Sequence, residues 1–421
     1  MKYDEIYLKM ITGLKYYTAK ELMYDTKPGI YLSPFAYKEF NKFKFDYSLE
    51  HKELFPTLDL LSFNDAPLFF CFSNELVSII DSYLSFILED INQKNSTLSI
   101  RNLDDMTLSR IYSEIEGTLN IESVPTTRKA ISEIAFGKRN PKTSNEVIID
   151  NMIKGIDFAN KRPQFNEKNL SKLYAILSND CLSEDYKLLE GHTYRHDGVE
   201  IDRYDGCPHN RIKECMDSLF AFVNKHLDNK KLYLYLPHIA HYYILYIHPY
   251  FDYNGRTARM VSYWIYLLIN QKAIIPPVIS EAINQTKSNY YSAIRESRNS
   301  SNDMTYFLTY IFNVSVQYFL TNKNIEEVDQ LLKNKSVVLT NTEKSYYKKI
   351  LISNKGKFTY SDFIKWINIK MSKQGAFKIL NTFCTYGLLT GETTNSNSKL
   401  FEVNQEMLRY SFKKPEGKGH N

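Results

Sequence analysis

Cysteine is scarce in this 421-residue chain: Cys71, Cys181, Cys207, Cys215 and Cys384 are scattered and odd in number. None forms a C-x-x-C pair, so no disulfide framework is expected and the five read as reduced thiols. Long apolar runs are missing too. The stretch SIIDSYLSFIL is short and broken by Asp81, well under the roughly 18 apolar residues of a membrane span. The start, MKYDEIYLKM, carries charges throughout and shows no apolar core or small-residue cleavage site. No secretory signal is read there, and the expected location is cytoplasmic. Internal repeats are absent, which excludes solenoid and propeller arrays.

What is present is an ordinary balance of 43% apolar and 24% charged residues, enough for two or three domains with a sizeable core. The net charge of +5 is unevenly spread, because residues 335–421 carry 15 Lys+Arg against 6 Asp+Glu. Only that end suits a polyanion.

Residues 1–104 mix tyrosine-rich stretches with turns and a helix candidate at LVSIIDSYLSFILEDI, and read as an N-terminal helical region without recognisable chemistry. From Leu103 the pattern is helical. LDDMTLSRIYSEIEG is expected to end at Gly117 as a helix C-terminus, and amphipathic segments follow with apolar residues at three and four spacing. TYRHDGVEIDRYDGC interrupts them with a short hairpin signal, Asp197-Gly198 beside alternating Val199 and Ile201. Residues 335–412 read as a separate unit, three helices followed by two short strands, the order of a winged helix-turn-helix. Between 335 and 412 there are 12 Lys+Arg and 5 Asp+Glu, so DNA is a candidate partner through Lys373, Gln374 and Lys378. The tail 413–421 reads as disordered.

The chemistry concentrates in HPYFDYNGRTAR, residues 248–259, just ahead of the apolar run MVSYWIYLLI. A helix N-terminus is locally positive, so Arg256 and Arg259 there break a local rule and point to an anionic ligand. Amide groups at a helix start bind phosphate, and Gly255 lets the main chain approach an oxyanion closely. Asn254 adds a neutral donor, and Asp252 supplies the single carboxylate by which Mg²⁺ is often held. His248 titrates near neutrality and suits a general base. A base, a metal carboxylate and an anion cradle within twelve residues describe a nucleotide-dependent phosphoryl or nucleotidyl transferase. His238 and His241, on the same predicted helix, read as packing histidines.

HPYFDYNGRTAR resembles the Fic signature H-x-F-x-[DE]-G-N-G-R-x-x-R, matching it at His248, Asp252, Asn254, Gly255, Arg256 and Arg259. The resemblance spans roughly residues 105–315. It implies a mainly α fold: a Fic-type helical core over 105–325 with a small β-hairpin flap, joined here to the C-terminal winged helix. It implies transfer of AMP from ATP to a protein Ser, Thr or Tyr hydroxyl. His248 would be the base and Asp252 the Mg²⁺ ligand, with Asn254 and Arg256 at the α- and β-phosphates and Arg259 near the γ-phosphate. Tyr250 stands for the usual Phe. Tyr253 replaces the first glycine of the pattern; if φ is positive there, the ring must turn outward or crowd the phosphates, at a cost on the order of 1 kcal/mol.

YSEIEG, residues 112–117, resembles the inhibitory motif [ST]-x-x-x-E-[GN] of the same family, implying that Glu116 pairs with Arg259 until a phosphate displaces it. Tyr112 departs from the Ser/Thr position. The hairpin at 193–206 takes the place of the family's flap, which docks a target segment, and points to Val199 and Ile201. PPVISEAINQTKSNYYSAI resembles the segment near the adenine, pointing to Tyr290 and Tyr291. The partner implied is a protein with a hydroxyl side chain, the chain itself included, and a homodimer fits the same reading. Three alternatives stay open: removal of AMP at the same site, a nucleotide sensor without turnover, and a DNA-binding regulator.

Overall fold

Apolar residues at three and four spacing build helices, and the chain is mainly α, with strands confined among the described residues to three short antiparallel pairs. The computed structural model describes residues 2–25, 28–60, 62–63, 66–85, 105–201, 204–270, 277–353, 356–367, 371–393 and 399–408. The tail 413–421 lies outside them, as do residues 202–203 and 394–398. The chain divides into two compact units, residues 1–315 and 316–421. Among the described residues no helix is long and apolar enough to cross a membrane.

In the first unit the N-terminal helices have clear start signals. Thr18 and Glu21 form a reciprocal capping box on Ala19–Tyr24, and Ser33 with Pro34 opens the helix Pro34–Glu50. Their apolar faces meet in an aromatic core of Tyr7, Tyr16, Phe40 and Phe55, joined by Tyr306. Within it Lys44 and Asp303 form an ion pair at 2.8 Å with neither side chain exposed. Asp303 also accepts from the Tyr16 hydroxyl at 2.8 Å, and the rings of Tyr306 and Tyr16 flank the ammonium at 5.0 and 5.3 Å. The N-terminal region therefore packs into the same unit as residues 303–306.

Two helices position the site. Leu236–Ile247 is buried at every position but one, as its mostly apolar sequence leads one to expect, and it packs against Asn254–Ile269. The helix Asp105–Ile121 packs on Ser280–Gln285. It does not stop at Gly117, as the sequence reading expects, but continues a full turn to Ile121. Gly117 is a close-approach residue: a Cβ there would lie 2.2 Å from the Glu281 amide nitrogen and 2.5 Å from the Ser280 carbonyl carbon. Three residues before it, buried Glu114 accepts from the amides of Ile279 and Ser280, both at 3.0 Å, capping the short helix.

In the second unit the helices Asn341–Ser353, Tyr360–Ile367 and Lys373–Thr385 are followed by the strands Leu389–Thr393 and Lys399–Val403, paired antiparallel with Leu389 opposite Val403. Phe358, ahead of the second helix, bridges to Phe401. Tyr347, Ile350, Phe363, Leu380, Phe383 and Phe401 form its core.

Candidate active site

The helix Leu236–Ile247 ends because His248 adopts a left-handed conformation, φ 55° and ψ 62°, with its amide bonded to the Ile244 carbonyl at 2.8 Å. Pro249 then removes the next donor. A second left-handed residue, Tyr253 at φ 66°, precedes the helix Asn254–Ile269. The turn between them is locked by Asn254, whose side chain accepts from the Tyr250 amide at 3.0 Å and donates to the Tyr250 carbonyl at 2.8 Å. Tyr250 is clamped in turn by Tyr174, stacked at 3.6 Å and 8°. The first helical bond runs from Thr257 N–H to the Tyr253 carbonyl at 2.9 Å, so the amides ahead of it have no partner within the helix. Amides so placed at a helix start suit an anion, as the sequence leads one to expect.

A cavity of about 240 Å³ opens over this turn. His248, Asp252, Asn254, Gly255 and Arg259 line one side, Ile201 and Tyr204 of the hairpin another, and Tyr290 and Tyr291 a third. The structure thus brings together most of the residues singled out in the sequence. Burial, then the nearby guanidinium of Arg195, lowers the His248 pKa to about 4, against which a hydrogen bond to the Leu245 carbonyl pulls upward. Its imidazole is neutral at physiological pH, the state a proton acceptor needs.

Arg259 is only 2% exposed. Its Nε donates to the Thr118 hydroxyl and its Nη2 to the Glu122 carboxylate, both at 2.7 Å. Burial would raise the Glu122 pKa, but the Arg259 guanidinium more than reverses this and holds the carboxyl below its usual range. The expected pair between Glu116 and Arg259 is not formed. Glu116 points to the other side of its helix and meets Arg128 at 3.1 Å. The reason is rotational: Glu114 and Gly117 face the 279–281 backbone, and the face that reaches Arg259 comes one turn later, at Thr118 and Glu122. The sequence held the signal. Thr118-x-x-x-Glu122-Ser123 repeats the spacing of YSEIEG with a true hydroxyl residue in first place, and Ser123, at φ 59°, stands where the pattern has Gly or Asn. Glu122 also fills the space beside Gly255, where a Cβ would lie 2.7 Å from its carboxylate oxygen.

Three further placements differ from expectation. Arg256 does not line the cavity. The Tyr253 ring lies 3.3 Å from its guanidinium carbon, and the Tyr253 hydroxyl bonds to the Cys181 thiol, so the ring neither turns outward nor crowds the phosphate site. The hairpin pairs Glu200–Ile201 with Tyr204–Asp205, so it reverses after Ile201 and not at Asp197-Gly198. Ile201 reaches the cavity, while Val199 sits at the hairpin base, its carbonyl accepting from Gly206 at 2.8 Å.

Tyr204 and Arg298 were not singled out in the sequence. Arg298 lines the cavity, donates to the Asp205 carbonyl and lies 5.0 Å from the Tyr204 ring, and Asn299 donates to the Tyr204 hydroxyl at 2.9 Å. His238 and His241 are buried; His241 Nε2 and the Tyr290 hydroxyl lie 2.8 Å apart. In the second unit Lys373, Gln374 and Lys378 are exposed on one helix, with the Lys373 ammonium 5.2 Å from the Tyr360 ring centre.

Comparison with known proteins agrees with the site. The model of the Fic/DOC family matches residues 164–266. The protein adenylyltransferase Fic of Drosophila mojavensis is 25% identical over 215 residues, which is 49% of this chain and 40% of the relative. The chain thus spans well under half the length of that curated relative. Among solved structures, a Fic family protein from Desulfovibrio desulfuricans G20 is 16% identical with a TM-score of 0.45, covering 79% of this chain and 96% of its own. A Fic domain containing signaling protein from Bacteroides thetaiotaomicron VPI-5482 is 16% identical with a TM-score of 0.43, covering 58% and 94%. The signature turn lies within the family match, and residues 164–266 of the chain form a Fic domain.

Proposed function

We propose that this chain transfers AMP from ATP to a protein hydroxyl and is held in check by Glu122. One observation carries the reading: a neutral imidazole, a helix start with unpartnered amides and Arg259 share a single cavity, and a carboxylate of the same chain occupies the guanidinium. In this reading the amides of the turn and Arg259 hold the polyphosphate. His248 takes the proton of the incoming hydroxyl, whose oxygen attacks the α-phosphorus in line as the bond to the β-phosphate oxygen breaks and pyrophosphate leaves. The hairpin residues Ile201 and Tyr204 present the target segment across from the base.

Asp252 fits a Mg²⁺ ligand. Its side chain is 44% exposed at the cavity, and one oxygen is already fixed by the Tyr253 amide at 2.6 Å. Mg²⁺ takes one or two carboxylates and fills its remaining positions with phosphate oxygens and water. When bound, the ion neutralises charge on the phosphate oxygens.

The test uses Glu122→Ala with Mg²⁺ and ATP labelled on either the α- or the γ-phosphate. Label from the α-phosphate alone is expected on protein, and none when His248→Ala is added. Transfer of the γ-label, or α-transfer that survives loss of His248, contradicts the reading. The Arg256 guanidinium, stacked on the Tyr253 ring and 3.8 Å from Asp252 instead of lining the cavity, favours a second reading, a nucleotide sensor without turnover. ATP binding by Glu122→Ala with no label on protein would select it.

A further inference from the structure

Arg195 belongs to no motif and does not line the cavity, yet it is 2% exposed. A guanidinium has five donors in a planar fork, and burying it is strongly unfavourable unless they are satisfied. Here its partners are backbone carbonyls drawn from two segments. Nε donates to the His248 carbonyl at 2.7 Å, Nη1 to Asp197 at 2.5 Å and Nη2 to Cys207, with the Ile247 carbonyl 3.5 Å away. Its own amide donates to the Pro249 carbonyl at 2.9 Å. Asp197 and Cys207 flank the paired strands of the hairpin, and residues 247–249 are the catalytic turn.

His248 is a non-glycine residue in the left-handed region, a conformation that persists only where the surroundings over-determine it. The Arg195 side chain holds the carbonyl of that residue, and its amide holds the next one. We propose that Arg195 is a positioning residue: its guanidinium clamps the hairpin to the catalytic turn, fixing both the backbone of His248 and the hairpin strands that face it. An ammonium could not replace it fully, because lysine offers three donors on one atom and lacks the fork.

The inference rests on the transferase reading, and its test separates the two. Arg195→Met and Arg195→Lys are compared in the Glu122→Ala background with Mg²⁺ and ATP varied up to saturation. A displacement of about 1 Å at reacting atoms costs on the order of 100-fold in rate, and that loss is expected for Arg195→Met. KM for ATP should move less than about threefold, because the proposed polyphosphate contacts lie at 252–259, and Arg195→Lys should recover part of the rate. Unchanged transfer in Arg195→Met, or a loss explained by a raised KM for ATP, overturns the inference. If the Glu122→Ala parent itself transfers no label, the transferase reading fails and hydrogen exchange decides the clamp. The amides of Gly206 and Tyr250, one on each segment, should then lose protection together in Arg195→Lys, while Thr257 keeps its own; protection equal to the parent at both overturns it.

Discussion

Replacing Glu122 by alanine should tighten ATP binding. The Glu122 carboxylate meets Arg259 at 2.7 Å, and a hydrogen bond to a charged group is worth about 1.5–3 kcal/mol net. ATP must displace that bond to reach the guanidinium, so its removal returns the same free energy to the ligand, at tenfold per roughly 1.4 kcal/mol. The Glu122 side chain is 28% exposed, and solvent screening draws the figure toward the lower end. A gain of about ten- to fiftyfold in affinity is expected. Arg259 keeps its place because the Thr118 hydroxyl still accepts from Nε. Isothermal titration of the variant and the parent with ATP and Mg²⁺ reads the change directly. Glu116→Ala is the control. Its partner Arg128 is about half exposed and neither residue lines the cavity, so affinity should change less than about twofold. An unchanged affinity in Glu122→Ala, or a gain in Glu116→Ala, refutes the assignment.

Other outcomes follow from packing and burial. Gly117→Ala drives a methyl into the 280–281 backbone, which has no flexible side chain to yield, and should cost about 1–3 kcal/mol or more in urea unfolding. Lys44→Met leaves Asp303 buried without its cation and should cost about 3–5 kcal/mol by the same assay, even though methionine fills the volume. Burial lowers the pKa of His238 to about 3 and that of His248 to about 4, and pushes His241 well down. Each is below the ordinary value near 6.5, so the unfolded state binds more protons between those limits; stability is full above pH 6.5 and falls as pH falls toward 4. Urea titrations at pH 7 and pH 5 should differ by about 2 kcal/mol for each of His238 and His248, and less in His238→Phe. For the same reason the transfer rate of Glu122→Ala should stay flat from pH 8 to pH 6.

Five signature residues that line the cavity, His248, Asp252, Asn254, Gly255 and Arg259, are legible because their identities answer to chemistry at fixed spacing, and the helices because apolar periodicity survives averaging. Gly117 was misjudged because a glycine that ends a helix and a glycine that admits a neighbouring backbone look alike in one dimension. Glu116 stands out in the sequence and Glu122 does not for a related reason: which carboxylate reaches Arg259 depends on the rotation of Asp105–Ile121, set by Glu114 and Gly117 against residues 279–281. Arg195 gave no pattern at all, since a guanidinium that binds carbonyl oxygens needs no particular partner residue. The Lys44–Asp303 pair joins positions 259 apart, beyond any local signal.

Intact-mass spectrometry of Glu122→Ala after incubation with ATP and Mg²⁺ tests the central claim most directly. The account predicts protein heavier by one AMP, with no such species when His248 is also replaced by alanine. Addition of a single phosphate, or an AMP adduct that persists without His248, would contradict it.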